Sequence, residues 1–164
     1  MLKLFYALRE MDFSALMNIY SESNRENGRI NWPGEEEGVR LLLAEQEFRQ
    51  YLKEVFFVVP GAVYAVWLVN GQYVSALRLE PYKDGLLLEG LETALGCRRM
   101  GYAAELIRHT LNQFPDKKIY SHIEKRNRAS IAVHEKCGFR KVLDTAVYVD
   151  GSVTNRAFTY LFES

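Results

Sequence analysis

Arg98-Arg99-Met100-Gly101-Tyr102-Ala103 decides the fold, because it joins an apolar strand to an amphipathic helix by a turn too polar for the core. Before it, Leu86-Leu87-Leu88-Glu89-Gly90-Leu91-Glu92-Thr93 reads as a strand apolar on both faces and therefore central in its sheet. After it, Ala103, Leu106, Ile107, Thr110 and Leu111 recur at helical spacing until Phe114-Pro115, where proline prevents continuation. The turn itself offers the free N–H donors of a helix start, a dipole that favours negative charge, and a glycine that lets a ligand approach the backbone. Arg98 and Arg99 add two guanidinium groups, so the stretch suits a pyrophosphate. A plain alternative is a solvated basic turn whose glycine eases helix packing. A Walker loop is excluded, since no Gly-Lys-Ser/Thr ending is present, and one glycine of three argues against a Rossmann turn.

Working outward, Lys118 to Glu124 reads as a short strand and Asn127 to Lys136 as the last helix, with Gly138 at its left-handed end and Phe139 returning to the core. Val142 to Val149 and Val153 to Phe162 flank Asp150-Gly151 as a closing hairpin. On the N-terminal side, Ala62 to Leu68 and Tyr73 to Leu79 flank Asn70-Gly71 as another hairpin, and Tyr82 to Gly85 turns the chain into the central strand. Leu2 to Leu8 is a first strand, and Asp12 caps a helix carrying Leu16, Ile19 and Tyr20. The polar stretch Ser23 to Glu37, with Asn27-Gly28 and Trp32-Pro33-Gly34, predicts a loop before a second helix bearing Val39, Leu42, Leu43 and Phe48.

With 164 residues and 48% hydrophobic content, the chain has the length of one domain, residues 1–164, that buries its own core. Lys plus Arg equals Asp plus Glu at 21 each, so no global field holds a nucleic acid or an anionic bilayer, and any anion site is local. Cys97 and Cys137 lie too far apart for a C-x-x-C metal motif and read as free thiols. Neither an export-type apolar core nor a spanning segment is visible, the stretch Val55 to Val69 being broken by Pro60-Gly61. The expectation is a soluble, cytoplasmic protein.

Arg98, Gly101 and Ala103 match the Gln/Arg-x-x-Gly-x-Gly/Ala pyrophosphate loop of the GNAT superfamily of N-acyltransferases, which the chain resembles. About two dozen residues on, that family often shows Asn, a small residue three later, Tyr four beyond that, and Gly-Phe at the helix end. Here those places hold Asn127, Ser130, His134 and Gly138-Phe139. The resemblance is specific in the C-terminal half and holds only in outline in the N-terminal half. It implies an α/β (α+β) domain with a mixed, mostly antiparallel sheet flanked by helices and splayed where strands 86–93 and 118–124 meet. Acetyl-CoA, the implied cosubstrate, would enter that splay, with no metal. The implied partner is a small amine or peptide, a homodimer being compatible.

The resemblance also distributes roles. Arg98, Arg99, Met100, Gly101, Tyr102, Ala103 and Ala104 would hold pyrophosphate, the backbone of Leu91, Glu92 and Thr93 would bind pantetheine and polarise the thioester, and Asn127 and Ser130 would contact the cofactor. Asn127 also reads as a plain helix N-cap. A lysine-like amine with pKa near 10.4 pays roughly 4–5 kcal/mol to expose its lone pair at neutral pH, so a proton acceptor matters. Glu89 and Glu92, three apart on one strand, are expected on opposite faces, and Glu89 is the preferred base, with Glu92 or a water relay as alternatives. Releasing a thiol with pKa near 8.5 costs only about 2 kcal/mol, so the acid is the more dispensable partner. His134 stands where the family carries that acid and is assigned the role, the alternative being a histidine that packs against Phe139. His109 and His122 read as ordinary surface and strand residues. The loop Asn24 to Glu37 corresponds to the region enclosing the acceptor, or is a solvated connector. Direct acetyl transfer to a primary amine in a ternary complex is the implied reaction, and a non-catalytic acyl-CoA sensor is the alternative.

Overall fold

Strands and helices follow in the order β1 (Leu2–Phe5), α1 (Phe13–Ile19), α2 (Ser21–Asn31), α3 (Glu37–Tyr51), β2 (Val63–Val69), β3 (Gln72–Tyr82), β4 (Gly85–Thr93), α4 (Tyr102–Leu111), β5 (Lys118–Glu124), α5 (Arg128–Lys136), β6 (Arg140–Leu143), β7 (Ala146–Val147), β8 (Val153–Thr154) and β9 (Ala157–Phe162) in the computed structural model, which describes residues 1–163. Seven strands form one sheet in the order β1-β2-β3-β4-β5-β9-β6, and β7 pairs with β8 apart from it. Every neighbouring pair in the large sheet is antiparallel except β4 and β5.

The period of two along each strand divides the apolar residues between two cores. Val63 and Ala65 of β2, Leu77 and Leu79 of β3 and Leu88 of β4 face Leu106 and Ile107 of α4 and Phe139 after α5. On the other face, Tyr64, Val66 and Ala76 meet Leu16 and Ile19 of α1 together with Leu52 and Phe56, which lie in a single π-helical turn prolonging α3. The central strands are therefore apolar along most of their length, because both faces are covered.

Local chemistry sets the element ends as expected at several places. Asp12 accepts a hydrogen bond from the Ala15 N–H at 2.9 Å and caps α1. Asn70 and Gly71, both at positive φ, form the two-residue turn of the β2–β3 hairpin.

Two expectations are corrected. The polar stretch read as a loop from Ser23 to Glu37 is helical to Asn31, and only Trp32 to Glu36 connects α2 with α3. Gly28, which suggested a turn, instead permits contact between the two helices, since a Cβ there would sit 3.0 Å from Arg40 Cβ and carbonyl oxygen. The C-terminal hairpin is also divided: Asp150-Gly151 turns β7 into β8, whereas β9 leaves that turn to lie between β5 and β6. No helix among the described residues is long and apolar enough to cross a membrane.

Candidate active site

Parallel pairing of β4 with β5 runs from Gly85 opposite Lys118 to Leu88 opposite Ser121 and stops there. Beyond that point β4 stays with β3 as far as Thr93, and β5 stays with β9 as far as Glu124. The two strands splay as expected, and the β5-facing edge of β4 past Leu88 has no strand against it. A bulge sits at the mouth of this opening. Arg78 pairs with Glu89 and Ala76 with Glu92, so three steps on β4 oppose two on β3, and Gly90 takes the extra residue at φ +61°.

That bulge corrects the expected facing of the acidic residues. An unbroken strand would send Glu89 and Glu92 to opposite faces, but the inserted residue returns both to the side of α1 to α3. Glu92 accepts a hydrogen bond from the Ser23 hydroxyl of α2 at 2.8 Å, and Glu89 Oε1 lies 3.4 Å from Arg78 Nε. Leu91 packs into the opposite core. Thr93 bonds Ser75 through its hydroxyl at 2.9 Å. Burial raises the Glu92 carboxyl above the usual range, while Ser23 and Arg98 oppose the shift.

The turn before α4 presents its backbone donors outward. Arg99 and Gly101 both adopt positive φ, and Gly101 caps the helix. The backbone N–H groups from Arg99 through Ala104 carry no hydrogen bond among the described residues. A Cβ on Gly101 would meet nothing within 4 Å, so the turn is open there. Met100 is 63% exposed at its rim. Arg98 is placed differently from Arg99: its guanidinium donates to Glu22 of α2 and to the Thr93 carbonyl and lies 3.8 Å from Glu92. It ties the loop to α2 and β4.

His134 occupies the base of the splay. Its Nδ1 lies 2.8 Å from the Ser130 carbonyl oxygen, which can only accept, so Nδ1 carries the proton. Nε2 then accepts from the hydroxyl of Ser121, 3.2 Å away on the last paired residue of β5. The ring is 1% exposed, stands edge-on to Phe139 at 5.1 Å, and has its pKa lowered by burial. Asn127 caps α5 by accepting from the Ser130 N–H at 3.0 Å. Glu89 and His134 lie on opposite faces of the sheet.

Several polar residues beside Glu89 escaped the sequence reading. Arg78 lies among the rings of Phe48, Tyr51 and Phe56, with centroids 5.7, 5.1 and 5.9 Å from its guanidinium carbon. Glu80, 9% exposed on the same face of β3, has its carboxyl raised by burial and then by the nearby Glu89 charge. Tyr64 donates to the Tyr20 hydroxyl at 2.9 Å, and Tyr20 donates to the Gly90 carbonyl at 2.6 Å, which fastens the bulge to α1. His122 also shares this face, edge-on to the rings of Tyr82 and Tyr148, with its buried Nε2 lacking a partner. The signal in the sequence was the charged Arg78-Leu79-Glu80 inside an otherwise apolar strand, which needs a reason to be buried.

The comparisons with known proteins agree with this architecture. A PaiA N-acetyltransferase from Thermoplasma acidophilum, solved in complex with coenzyme A, superposes with a TM-score of 0.65 at 10% identity, covering 100% of this chain and 99% of that one. A spermidine N-acetyltransferase SpeG chimera from Vibrio cholerae and hSSAT gives 0.62 at 17% identity, covering 99% and 95%. An N-acetyltransferase from Staphylococcus aureus gives 0.60 at 16% identity, covering 99% and 98%. At these identities the likeness speaks for the fold. No match is found among curated proteins. The Acetyltransferase (GNAT) family, however, is matched over residues 13–139, most of the chain and both halves of the opening, and the chain belongs to that family.

Proposed function

We propose that the protein moves an acetyl group from acetyl-CoA to a primary amine of a small molecule or peptide, by direct attack within a ternary complex. The observation that carries this reading is the run of unpartnered N–H groups from Arg99 through Ala104, opening beside a parallel pair that ends at Leu88 and Ser121. Those donors and the Arg99 side chain would hold the pyrophosphate, and Asn127 and Ser130 would line the opposite wall. When bound, acetyl-CoA supplies the acetyl thioester that the amine attacks. The β5-facing edge of β4 around Leu91, Glu92 and Thr93 has no strand against it among the described residues, so apart from the Thr93 carbonyl, which Arg98 already holds, it would hydrogen-bond an extended pantetheine arm much as an added strand does. An N–H of this edge aimed at the developing oxyanion stabilises it by a few kcal/mol in a dry site.

Glu89 is the proton acceptor for the ammonium of the amine, assisted by its half-buried place on the acceptor side of the bulge. His134 serves as the acid through Ser121: once protonated, Nε2 donates to Ser121 Oγ, whose own hydroxyl proton passes to the departing thiolate. Because burial lowers the His134 pKa, this route is sparsely populated at neutral pH, in keeping with the small cost of thiolate release.

Purified protein incubated with acetyl-CoA and amino acids, polyamines, aminoglycosides or peptide N-termini tests the reading by free-thiol detection. Thiol release above the buffer rate with at least one amine supports it. Calorimetric binding of acetyl-CoA with no release across the whole panel would replace it with a sensor.

A further inference from the structure

Arg78 lies beside Glu89 on the face of the sheet covered by α1 to α3, with its hydrogen-bonding capacity unused. Its Nε and the facing Glu89 Oε1 are both buried without a hydrogen-bond partner, because the 3.4 Å contact between them is a charge contact lacking alignment. Its terminal N–H groups carry no hydrogen bond among the described residues, and unlike Nε they retain contact with solvent. Three rings from α3 and the turn after it fix the guanidinium, and a Cβ on Gly90 would come within 3.2 Å of it. The missing side chain at the bulge therefore makes room for the arginine beside Glu89.

A guanidinium and a carboxylate side by side, each with capacity to spare, form a fixed dipole. An isolated ammonium gains from Glu89 but is repelled by Arg78, which cannot swing away from its ring cage. A ligand that carries an anion next to its amine answers both groups at once, and a planar carboxylate matches the arginine fork.

The geometry points to a free α-amino acid as the acceptor, with its carboxylate on the terminal N–H groups of Arg78 and its amino group toward Glu89. This deepens the acetyltransferase reading and rests on it. Arg78 is then a specificity-determining residue for substrate binding, and the bulge at Gly90 sets its distance from the site of attack. Polyamines, which offer no carboxylate, are poor acceptors on this account.

The test uses matched acceptors: the protein amino acids, their α-carboxamides and, for phenylalanine, phenethylamine, with spermidine added, each assayed for thiol release from acetyl-CoA. For the best amino acid, kcat/KM should exceed that of its carboxamide by about 30-fold or more, the usual scale for losing a charge-assisted pair. Arg78→Gln should shrink that ratio below about threefold, and Arg78→Lys, which keeps the charge without the fork, should fall between. Thermal melting of each variant confirms that it is folded. Carboxamides or spermidine used as well as the free acids, or a ratio unchanged in Arg78→Gln, would overturn the inference while leaving acetyl transfer intact. If no acceptor releases thiol, calorimetry of the same amino acids on the CoA-loaded protein decides: heat that Arg78→Gln abolishes supports the subsite although transfer fails, and absent heat overturns both.

Discussion

Glu80 sits diagonally across the β3–β4 pair from Glu89, and two carboxyl groups that close in a largely buried place resist ionising together, so the pair keeps one proton. Burial, followed by the Glu89 charge, pushes the Glu80 carboxyl up to about 7 from an ordinary 4.5. The folded chain thus holds an extra proton between these values, and this site loses stability as pH rises from 4.5 through 7. Glu80→Gln keeps a donor toward Glu89 and cannot ionise. It should match the parent protein near pH 4.5 and exceed its stability by roughly 1–3 kcal/mol at pH 8. Urea unfolding at the two pH values measures this, and a difference independent of pH rejects the shared proton.

Glu89→Gln removes the proposed proton acceptor while keeping the shape of the side chain beside Arg78. At pH 7 an amine of pKa near 10 is about one part in a thousand neutral, so kcat/KM should fall by about 100-fold. The deficit should narrow as pH approaches 10 and the amine loses its proton unaided. Rate profiles of both proteins from pH 6.5 to 10 check it. A deficit that stays constant across that range would assign Glu89 to orientation and not to proton transfer.

The parts of this site that follow from local rules were legible in the sequence. Gly101 after Arg98 announces a helix start with free N–H donors because a flexible residue before an amphipathic run suffices for it, and Leu86 to Thr93 reads as a central strand from its apolar run. What escaped depends on contacts distant in the chain. The facing of Glu92 was misjudged because the bulge at Gly90 reveals itself only against β3, where Arg78 and Ala76 set the register. Gly28 misled in the same way: its sequence neighbours suggest a turn, whereas Arg40 of α3 explains it. The tie from Arg98 to Glu22, 76 residues away in sequence, had no local signal either.

Gly101→Asp tests the proposed pyrophosphate site. The left-handed φ of +85° is strained for a residue with a Cβ, and the new carboxylate would stand in the open space where the diphosphate is proposed to sit. CoA affinity should drop at least about tenfold, some 1.4 kcal/mol. Isothermal titration at fixed ionic strength measures the loss, and unaltered affinity in a folded variant would move the pyrophosphate elsewhere.

His134 holds Ser121 and Ser130 at the base of the opening, and its structural part separates from its proposed part as acid by pH and by substitution. Burial holds the folded pKa below the ordinary 6.5 against the opposing pull of the Ser130 carbonyl, which accepts from Nδ1–H, and the neutral ring accepts from Ser121 through Nε2. The folded chain binds fewer protons there than the unfolded one, which makes this stability complete above about 6.5 and lost progressively as pH falls below it. His134→Ala opens a cavity and leaves the Ser130 carbonyl and the Ser121 hydroxyl without this partner, costing about 2–4 kcal/mol at pH 7.5 and less at pH 5.5. Turnover, assayed well below the melting temperature, should fall by no more than about 10-fold, since a thiol of pKa near 8.5 departs readily without an acid. Comparing His134→Ala with Ser121→Ala isolates the relay. If Ser121→Ala, which leaves the Nδ1 contact with Ser130 in place, lowers turnover as much as His134→Ala, the proton passes through the serine hydroxyl. A full rate in Ser121→Ala would confine the histidine to holding the base of the cleft.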